Sequence, residues 1–581
     1  MERIEKHQLA HVSFPLRAQI LLANLMSNTE STPSDHVLTL VEESPHRFID
    51  NLDVVLELCE LLSNLRWKKS LLAFGSTCKA LFEPAMDVLW YRLHDIINLL
   101  KVISNFVRVD NHLVYSISSN CFHTSNPLTQ TIEGPLSDSI LTRFDTYARR
   151  VRVLDGDSLL SEASKLTSIA CTYLTSFRCP LVPYLREFRI SSCDERDCGI
   201  LLLLGTTKLK IVDLGYETHG EGGRMTEAFL HSIQCDKAHG LEKLRISTAR
   251  RNHVDLITKF HMLQDVELRF DENTTGALLV EGFSKLSALH RLSRLYLEWD
   301  VGSEHHSLVP ALRRHSITFQ SLHSFEIMVP TYMALLLVQC MMADTLKRVQ
   351  VTVNCRASPL YQSTAFRQIV DECGFITPDL EEVDFDFDYD NRSIGRETWD
   401  AVINLTQRFR LRTIKFAWFG LEIDDTYILK ACLSGCFSHL EVLNLVTSGS
   451  SPSPTFQVLR SLAIHCPHLK DLDLTFTVEE EHLPLLIEEM ENEHSLSHCL
   501  RSLVVHLKDK PETKRFLANW ESIPIVSQYL DSLFPSLDYD NIRGGPQYSA
   551  FIKGIRRSLK GLQYTSILNS TRLVGSQVIN L

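Results

Sequence analysis

One pattern constrains this chain more than any other: the element L-x-x-φ-x-φ, with φ apolar, recurs twelve times between residues 185 and 505. Its first leucines are Leu185, Leu209, Leu241, Leu263, Leu292, Leu322, Leu346, Leu380, Leu411, Leu440, Leu469 and Leu500, with a mean spacing of about 29 residues. Self-similarity at this period marks a solenoid, in which a unit buries its apolar face only when its neighbours stack on it. Within each element φ-x-φ alternates as a half-buried strand does, as in Val212-Asp213-Leu214 and Leu244-Arg245-Ile246. The stretches between read as helices: Phe456, Leu459, Leu462 and Ala463 fall on one helical face, closed by Cys466-Pro467. The predicted fold class is α/β. An all-helical stack of the HEAT kind is the competing architecture, disfavoured by the β-branched and aromatic residues at φ.

A strand and a helix at this period resemble the leucine-rich repeat, and the resemblance covers residues 151 to 540. Val151-Arg152-Val153-Leu154 and Phe534-Pro535-Ser536-Leu537-Asp538-Tyr539 read as degenerate end repeats that cap the array. The asparagine or cysteine that such repeats carry eight residues after the first leucine occurs only at Cys193 and Asn354, so an irregular horseshoe is expected. Twelve strands at about 4.8 Å make an inner face roughly 55 Å long, enough to grip a folded protein. The third and fifth motif positions face solvent there, which makes Arg189, Lys243, Arg245, Arg294, Tyr296, Arg348 and Asp384 the candidate target-binding residues. Their signs alternate with Asp213, Asp265 and Glu267 on adjacent strands, so a self-neutralised ladder competes with recognition of a phosphorylated segment.

The amino-terminal region is of another kind. Residues 1–48 hold two apolar stretches, Ile20 to Met26 and Val37 to Val41, on either side of a Ser/Thr/Asn-rich joint. Leu52, Val55, Cys59 and Leu62 then share one helical face behind Asp50-Asn51; a second helical segment spans 70–80, and a third opens at Glu83-Pro84. Three short helices in about 40 residues leave too much apolar surface in water to stand alone. Leu52 to Leu62, Lys69-Ser70-Leu71-Leu72-Ala73, Thr77-Cys78-Lys79-Ala80 and Pro84 to Trp90 together resemble an F-box, in the form common in mushroom-forming fungi. Asp53, Cys59 and Trp67 depart from that pattern. The resemblance implies that the module packs on a Skp-type adaptor of a cullin-RING ubiquitin ligase, through Leu52, Val55, Leu58, Cys59, Leu71, Leu72, Cys78 and Trp90. The expected organisation is a helical or flexible segment at 1–48, the F-box at 49–95, a linker and helical adapter at 96–150, the repeats at 151–540 and a tail at 541–581.

Composition narrows the remaining classes. Fifty-nine basic against 71 acidic side chains give a net charge of −12, which argues against the broad basic field of a nucleic-acid binder. The longest apolar run, Met333 to Ala343, is about half a bilayer span, and no secretory signal opens the chain, so no membrane contact is expected and the address is cytoplasmic or nuclear. Most of the fifteen cysteines sit among apolar residues as small buried hydrophobes. Asp386, Asp388, Asp390 and Glu397 have the spacing of a calcium loop, but Asn391 replaces its turn glycine and the aspartates alternate with Phe385, Phe387 and Tyr389 as a strand. His305-His306, Cys193 with Cys198, and Gly220, Gly222 and Gly223 complete no zinc or phosphate motif. Neither an enzyme nor a cofactor is expected. The reading is a non-catalytic substrate receptor of a ubiquitin ligase; the alternative is a leucine-rich-repeat scaffold or inhibitor outside any ligase.

Overall fold

The computed structural model describes residues 52–64, 68–103, 106–109, 128–132, 137–156, 164–166, 174, 176, 179–193, 198–217, 222–235, 240–270, 274–299, 316–354, 359–388, 396–418, 423–447, 452–478, 480–491, 498–508, 511–519, 521–545 and 548–578. The expectations placed on residues 1–48, on Asp50-Asn51, Trp67, Gly220, His305-His306 and Asp390-Asn391 lie outside these. The chain divides into two compact units, Met1–Leu241 and Glu242–Leu581.

In the first unit, α1 (Leu52–Asn64), α2 (Lys68–Gly75) and α3 (Lys79–Tyr91) lead directly into β1 (Arg92–Leu93). Next come α4 (Ile97–Leu100), β2 (Phe106–Val109), β3 (Leu128–Ile132), α5 (Asp138–Ala148), β4 (Val153–Gly156), β5 (Ser164–Leu166), β6 (Glu187–Cys193), α6 (Cys198–Leu204), β7 (Ile211–Glu217) and α7 (Gly222–Cys235). Strands β1, β4, β6 and β7 pair in that order, all parallel. A separate small sheet joins β2 to β3 antiparallel and β3 to β5 parallel.

The helical segments of the sequence reading need correction here. The helix expected over 70–80 stops at Gly75: Ser76 Oγ donates to Leu72 O and Thr77 Oγ1 to Phe74 O, capping the last turn of α2. Cys78 is extended and α3 starts at Lys79, so Pro84 lies inside the third helix and not in its first turn. Gly75 makes that packing possible, because a Cβ there would stand 2.7 Å from the Cβ of Ala85.

The second unit runs β8 (Lys243–Ala249), α8 (Arg251–Ile257), β9 (Asp265–Phe270), α9 (Gly276–Leu286), β10 (Arg294–Trp299), β11 (Ile317–Thr318), β12 (Ser324–Val329), α10 (Thr331–Cys340), β13 (Met341–Met342), β14 (Arg348–Asn354), α11 (Pro359–Ile376), β15 (Glu382–Asp388), α12 (Arg396–Arg408) and β16 (Thr413–Trp418). It continues with α13 (Asp425–Leu433), β17 (Val442–Thr447), α14 (Val458–His465), β18 (Asp471–Phe476), α15 (Leu483–Glu491), β19 (Ser502–Leu507), α16 (Pro511–Ala518), α17 (Ser522–Leu533), β20 (Ile542–Gly544) and α18 (Ser549–Val578). Apart from the small β11/β13 pair, its strands form one parallel ladder from β8 to β20. This mixed α/β array with a long parallel sheet is consistent with the leucine-rich-repeat solenoid expected from the sequence.

Each of the twelve motif leucines is at most 2% exposed, and a strand begins two residues after it. The register comes from the backbone between them. In the second unit the residue after the leucine donates its N–H to the carbonyl at the same position one repeat earlier, from Gln264 on Glu242 through to Arg501 on Lys470, at 2.7–3.0 Å. That carbonyl also accepts the next N–H along the strand, so the strand-entry edge is satisfied without the side-chain ladder whose absence led to the expectation of irregularity. A register shift does occur between β8 and β9, at Ile246/Ala249.

Aromatic residues fill the space between strands and helices. Phe283 on α9 meets Phe325 on β12 at 5.6 Å, and Phe366 on α11 meets Phe385 and Phe416 at 5.6 and 6.3 Å. The distal end also departs from the sequence reading. Phe534 and Leu537 are buried, but the chain to Tyr539 is no strand: Asp538 caps a short 3-10 turn, and β20 forms afterwards and pairs with β19. Beyond 541, therefore, the chain belongs to the sheet and its cover. In α18, Ile552, Ile555 and Leu559 are buried and Arg556 Nε donates to Ile542 O at 2.7 Å; just before it, Tyr548 OH donates to Leu507 O at 2.8 Å.

Candidate functional site

Two surfaces follow from these elements. The first is the three-helix module. Val54, Val55, Leu58, Cys59, Leu62, Leu71, Phe74, Leu81 and Ala85 form its core. Of the eight residues assigned to adaptor contact, Val55, Leu58, Cys59 and Leu71 are therefore core residues, no more than 6% exposed, and Cys78 is half-buried against them. Burial, helped by Glu60, pushes the Cys59 thiol up to about 11, so it is an inert hydrophobe. Trp90 is half-buried and its ring lies 4.7 Å from that of Tyr147 on α5. Leu52 and Leu72 alone of the eight are strongly exposed, at 58% and 50%.

Two further exposed apolar side chains, Phe82 and Tyr91 on α3, were missed by the sequence reading. The signal was present: with Leu81 and Ala85 facing inward at helical spacing, Phe82 falls off that face. The module's inward half holds it together, and its outward half leaves leucine and aromatic surface in water.

No linker separates this module from the sheet. Tyr91 ends α3 and Arg92 begins β1, which pairs with β4 through Arg92↔Val153 and Leu93↔Leu154, while Arg152 donates its N–H to Tyr91 O at 2.9 Å. The Arg150 guanidinium, only 11% exposed, reaches across to Glu83 and Asp87 on α3. Three independent contacts thus fix α3 to the start of the repeats: strand pairing, the Trp90–Tyr147 contact and the Arg150 clamp.

The second surface is the face of the sheet turned away from the helices. Third and fifth motif positions are half-buried there, except for the buried Glu326 and the exposed Asp471, whereas the fourth and sixth are buried against the helices. In the first unit Arg189 pairs with Glu187 on its own strand at 2.8 Å. In the second, Lys243 binds Asp265 at 2.6 Å and Arg245 binds Glu267 at 3.0 Å. Arg294 holds Glu326 through two nitrogens at 3.0 and 3.2 Å, and Arg348 lies 3.1 Å from the amide oxygen of Gln350. These strands carry a self-neutralised ladder, in which Lys243, Arg245 and Arg294 pair with acids on the next strand of the sheet and Arg189 with one on its own.

Arg269 and Glu298, one turn of the pleat further along, extend the ladder. Arg269 bonds Glu267 at 3.2 Å and Glu298 at 3.1 Å, and the hydroxyl of Tyr296 donates to Glu298 at 2.7 Å. Burial, then the bond and charge of Glu298, push the Tyr296 phenol up, so it stays a neutral donor. The sequence reading stopped at the fifth motif position and so missed both charged residues.

The ladder changes character at β15, where Glu382, Asp384 and Asp386 line one face between Arg348 and Lys415. Burial raises the Asp384 carboxyl, and Asp386 and Glu326 raise it further against the pull of Lys415 and Arg348. Asp386 and Asp388 belong to β15 while Glu397 lies in α12, so the calcium-like spacing is divided between a strand and a helix. Among the described residues no group of three or more His, Cys, Asp or Glu is placed to hold a metal ion, and no helix is long and apolar enough to cross a membrane.

No protein-family model matches the chain, and no curated protein is significantly similar to it in sequence. Among solved structures it is similar to an internalin from Listeria monocytogenes, with 12% identity over 57% of this chain and 78% of that one and a TM-score of 0.27.

Proposed function

We propose that the protein is a substrate receptor of a cullin-RING ubiquitin ligase, in which the helical module holds a Skp-type adaptor and the open face of the repeats holds a target protein. The observation that carries this reading is the exposed Leu52 and Leu72, joined by Phe82 and Tyr91, on a module too small to need them for its own core. The chain performs no bond chemistry in this scheme. It raises the local concentration of a target lysine near a ubiquitin-charged enzyme, and the direct run of α3 into β1, which joins the module to the first repeats without an intervening segment, supports that role.

The test is capture of a purified Skp-type adaptor. Leu71 is unsuitable for it, being fully buried, because Leu71→Asp would unfold the module whatever it binds. Leu52→Asp combined with Leu72→Asp changes exposed side chains only, and is expected to abolish capture with an unchanged melting temperature. Capture at the wild-type level by that variant defeats the reading. Failure of the wild-type chain to capture any adaptor leaves a repeat scaffold or inhibitor as the better description.

A further inference from the structure

A third surface lies at the edge where the chain enters the strands of the second unit. The residues following Leu346, Leu380, Leu411, Leu440 and Leu469 form an alternating row of charges there. Lys347 binds Glu381 at 2.7 Å, Arg412 binds both Glu381 and Glu441, and Lys470 binds Glu441 at 2.5 Å. The pairing with Lys470 and Arg412 holds the Glu441 carboxyl below its ordinary range. Both acids are thereby engaged from either side.

Beside this row runs a second one, made by the residues that precede the leucines: Arg410, His439 and His468. They are exposed, stand on consecutive repeats at about 4.8 Å per strand, and have no hydrogen-bond or ion-pair partner among the described residues. The two rows line one open groove of about 510 Å³. On a chain whose net charge is −12, this groove gathers Arg410, Arg412 and Lys470 against two acids already bound to cations, with two imidazoles to spare.

We propose that this groove binds a phosphorylated serine or threonine in an extended peptide segment, with the phosphate set against Arg410 and the two imidazoles. Guanidinium is the side chain best shaped for phosphate oxygens, which it meets with paired, charge-assisted bonds. Imidazole adds an N–H donor from each of the two neighbouring repeats, and a phosphate offers three strong acceptor oxygens and a charge of roughly −1.5 to −2. A carboxylate brings one charge and two oxygens, so it draws less from three free groups on successive strands. The open form of the groove admits a chain in extended conformation, and the row beneath it is tied from repeat to repeat by backbone hydrogen bonds, Arg412 to Glu381, Glu441 to Arg412 and Lys470 to Glu441.

The proposal concerns binding by the isolated protein and stands apart from adaptor capture. It is tested by fluorescence anisotropy with two labelled libraries of extended peptides, degenerate at the flanking positions, carrying a central phosphoserine or glutamate. The phosphoserine library is expected to bind at least about tenfold more tightly than the glutamate library, with the preference shrinking as salt rises. Arg410→Ala combined with His439→Ala and His468→Ala, all exposed positions, should remove that preference at an unchanged melting temperature. Arg348→Ala, on the open face of the sheet, should leave it intact. Equal binding of the two libraries, absence of binding, or full binding by the triple variant each overturns the proposal, and loss of binding in Arg348→Ala moves the site to the sheet.

Discussion

At the scale of single residues, the ion pairs on the open face differ in what they do for the fold. Glu326 is 6% exposed, and burial alone would raise its carboxyl, yet the two bonds and the charge of Arg294 outweigh that and hold it below the ordinary range. Its contribution is therefore present at neutral pH and is lost on acidification through the folded-state value. Asp384 behaves in the opposite sense. Because its carboxyl is raised, ionising it in the folded state costs stability, and that cost is fully present above the folded-state value and absent below the unfolded one, near 3.8. Asp384→Asn is thus expected to raise the melting temperature at pH 7, with the gain vanishing as pH falls toward 3.8. Melting curves across pH check this; a variant that is less stable than wild type at pH 7 would show that Asp384 is held by Lys415 and Arg348 more than it is penalised by burial. The sequence showed that the signs alternate, since strand register carries homologous positions side by side. It did not show which acid is relieved and which is strained: two cations reach each carboxylate, but Glu326 is bonded directly by Arg294 and Ser324, whereas Asp384 is half-buried without such a bond and beside Asp386 and Glu326.

Among the elements, the repeats were legible because one signal is tied to one physical requirement. A leucine that must be buried at each turn precedes every strand from β6 onward, other than the short pair β11/β13 and the terminal β20. The ends were less legible. At the distal end the apolar pair Phe534 and Leu537 mimics the motif, but Asp538 takes the next N–H groups for a turn and postpones the strand to Ile542. In the helical module the pattern identified the apolar residues without saying which are shared among the three helices. Four of the eight proposed contacts are spent on the module's own core, since helices this short can bury a side chain only against each other. The motif leucines offer the sharper experiment. Leu440→Ala, at a position with no exposure, should cost about 2–5 kcal/mol. In a stacked array that loss is local: hydrogen exchange should rise in β16, β17 and β18 while β9 and β10 keep their protection. A uniform rise would mean that the second unit unfolds as one cooperative body.

For the whole chain, the decisive feature is how the exposed ends of each sheet are handled. In the first unit β1, which continues α3, lies at the edge beside β4, so the helical module itself stands at that end. In the second unit β20 ends the ladder and α18 lies over it, with Ile552 against Gly544 and Ile555 and Leu559 buried. A sheet edge without such cover offers unpaired backbone groups to any other chain. Removing residues 546–581 should therefore leave β20 and β19 exchanging rapidly while β8 to β10 remain protected, and should add a concentration-dependent tendency to associate. Hydrogen exchange and sedimentation of the truncated protein measure both effects. If β19 keeps its full protection without α18, the helix is an appendage and the last strand closes the array unaided; if it loses it, the segment after residue 541 is as much a part of the repeat fold as the leucines that announced it.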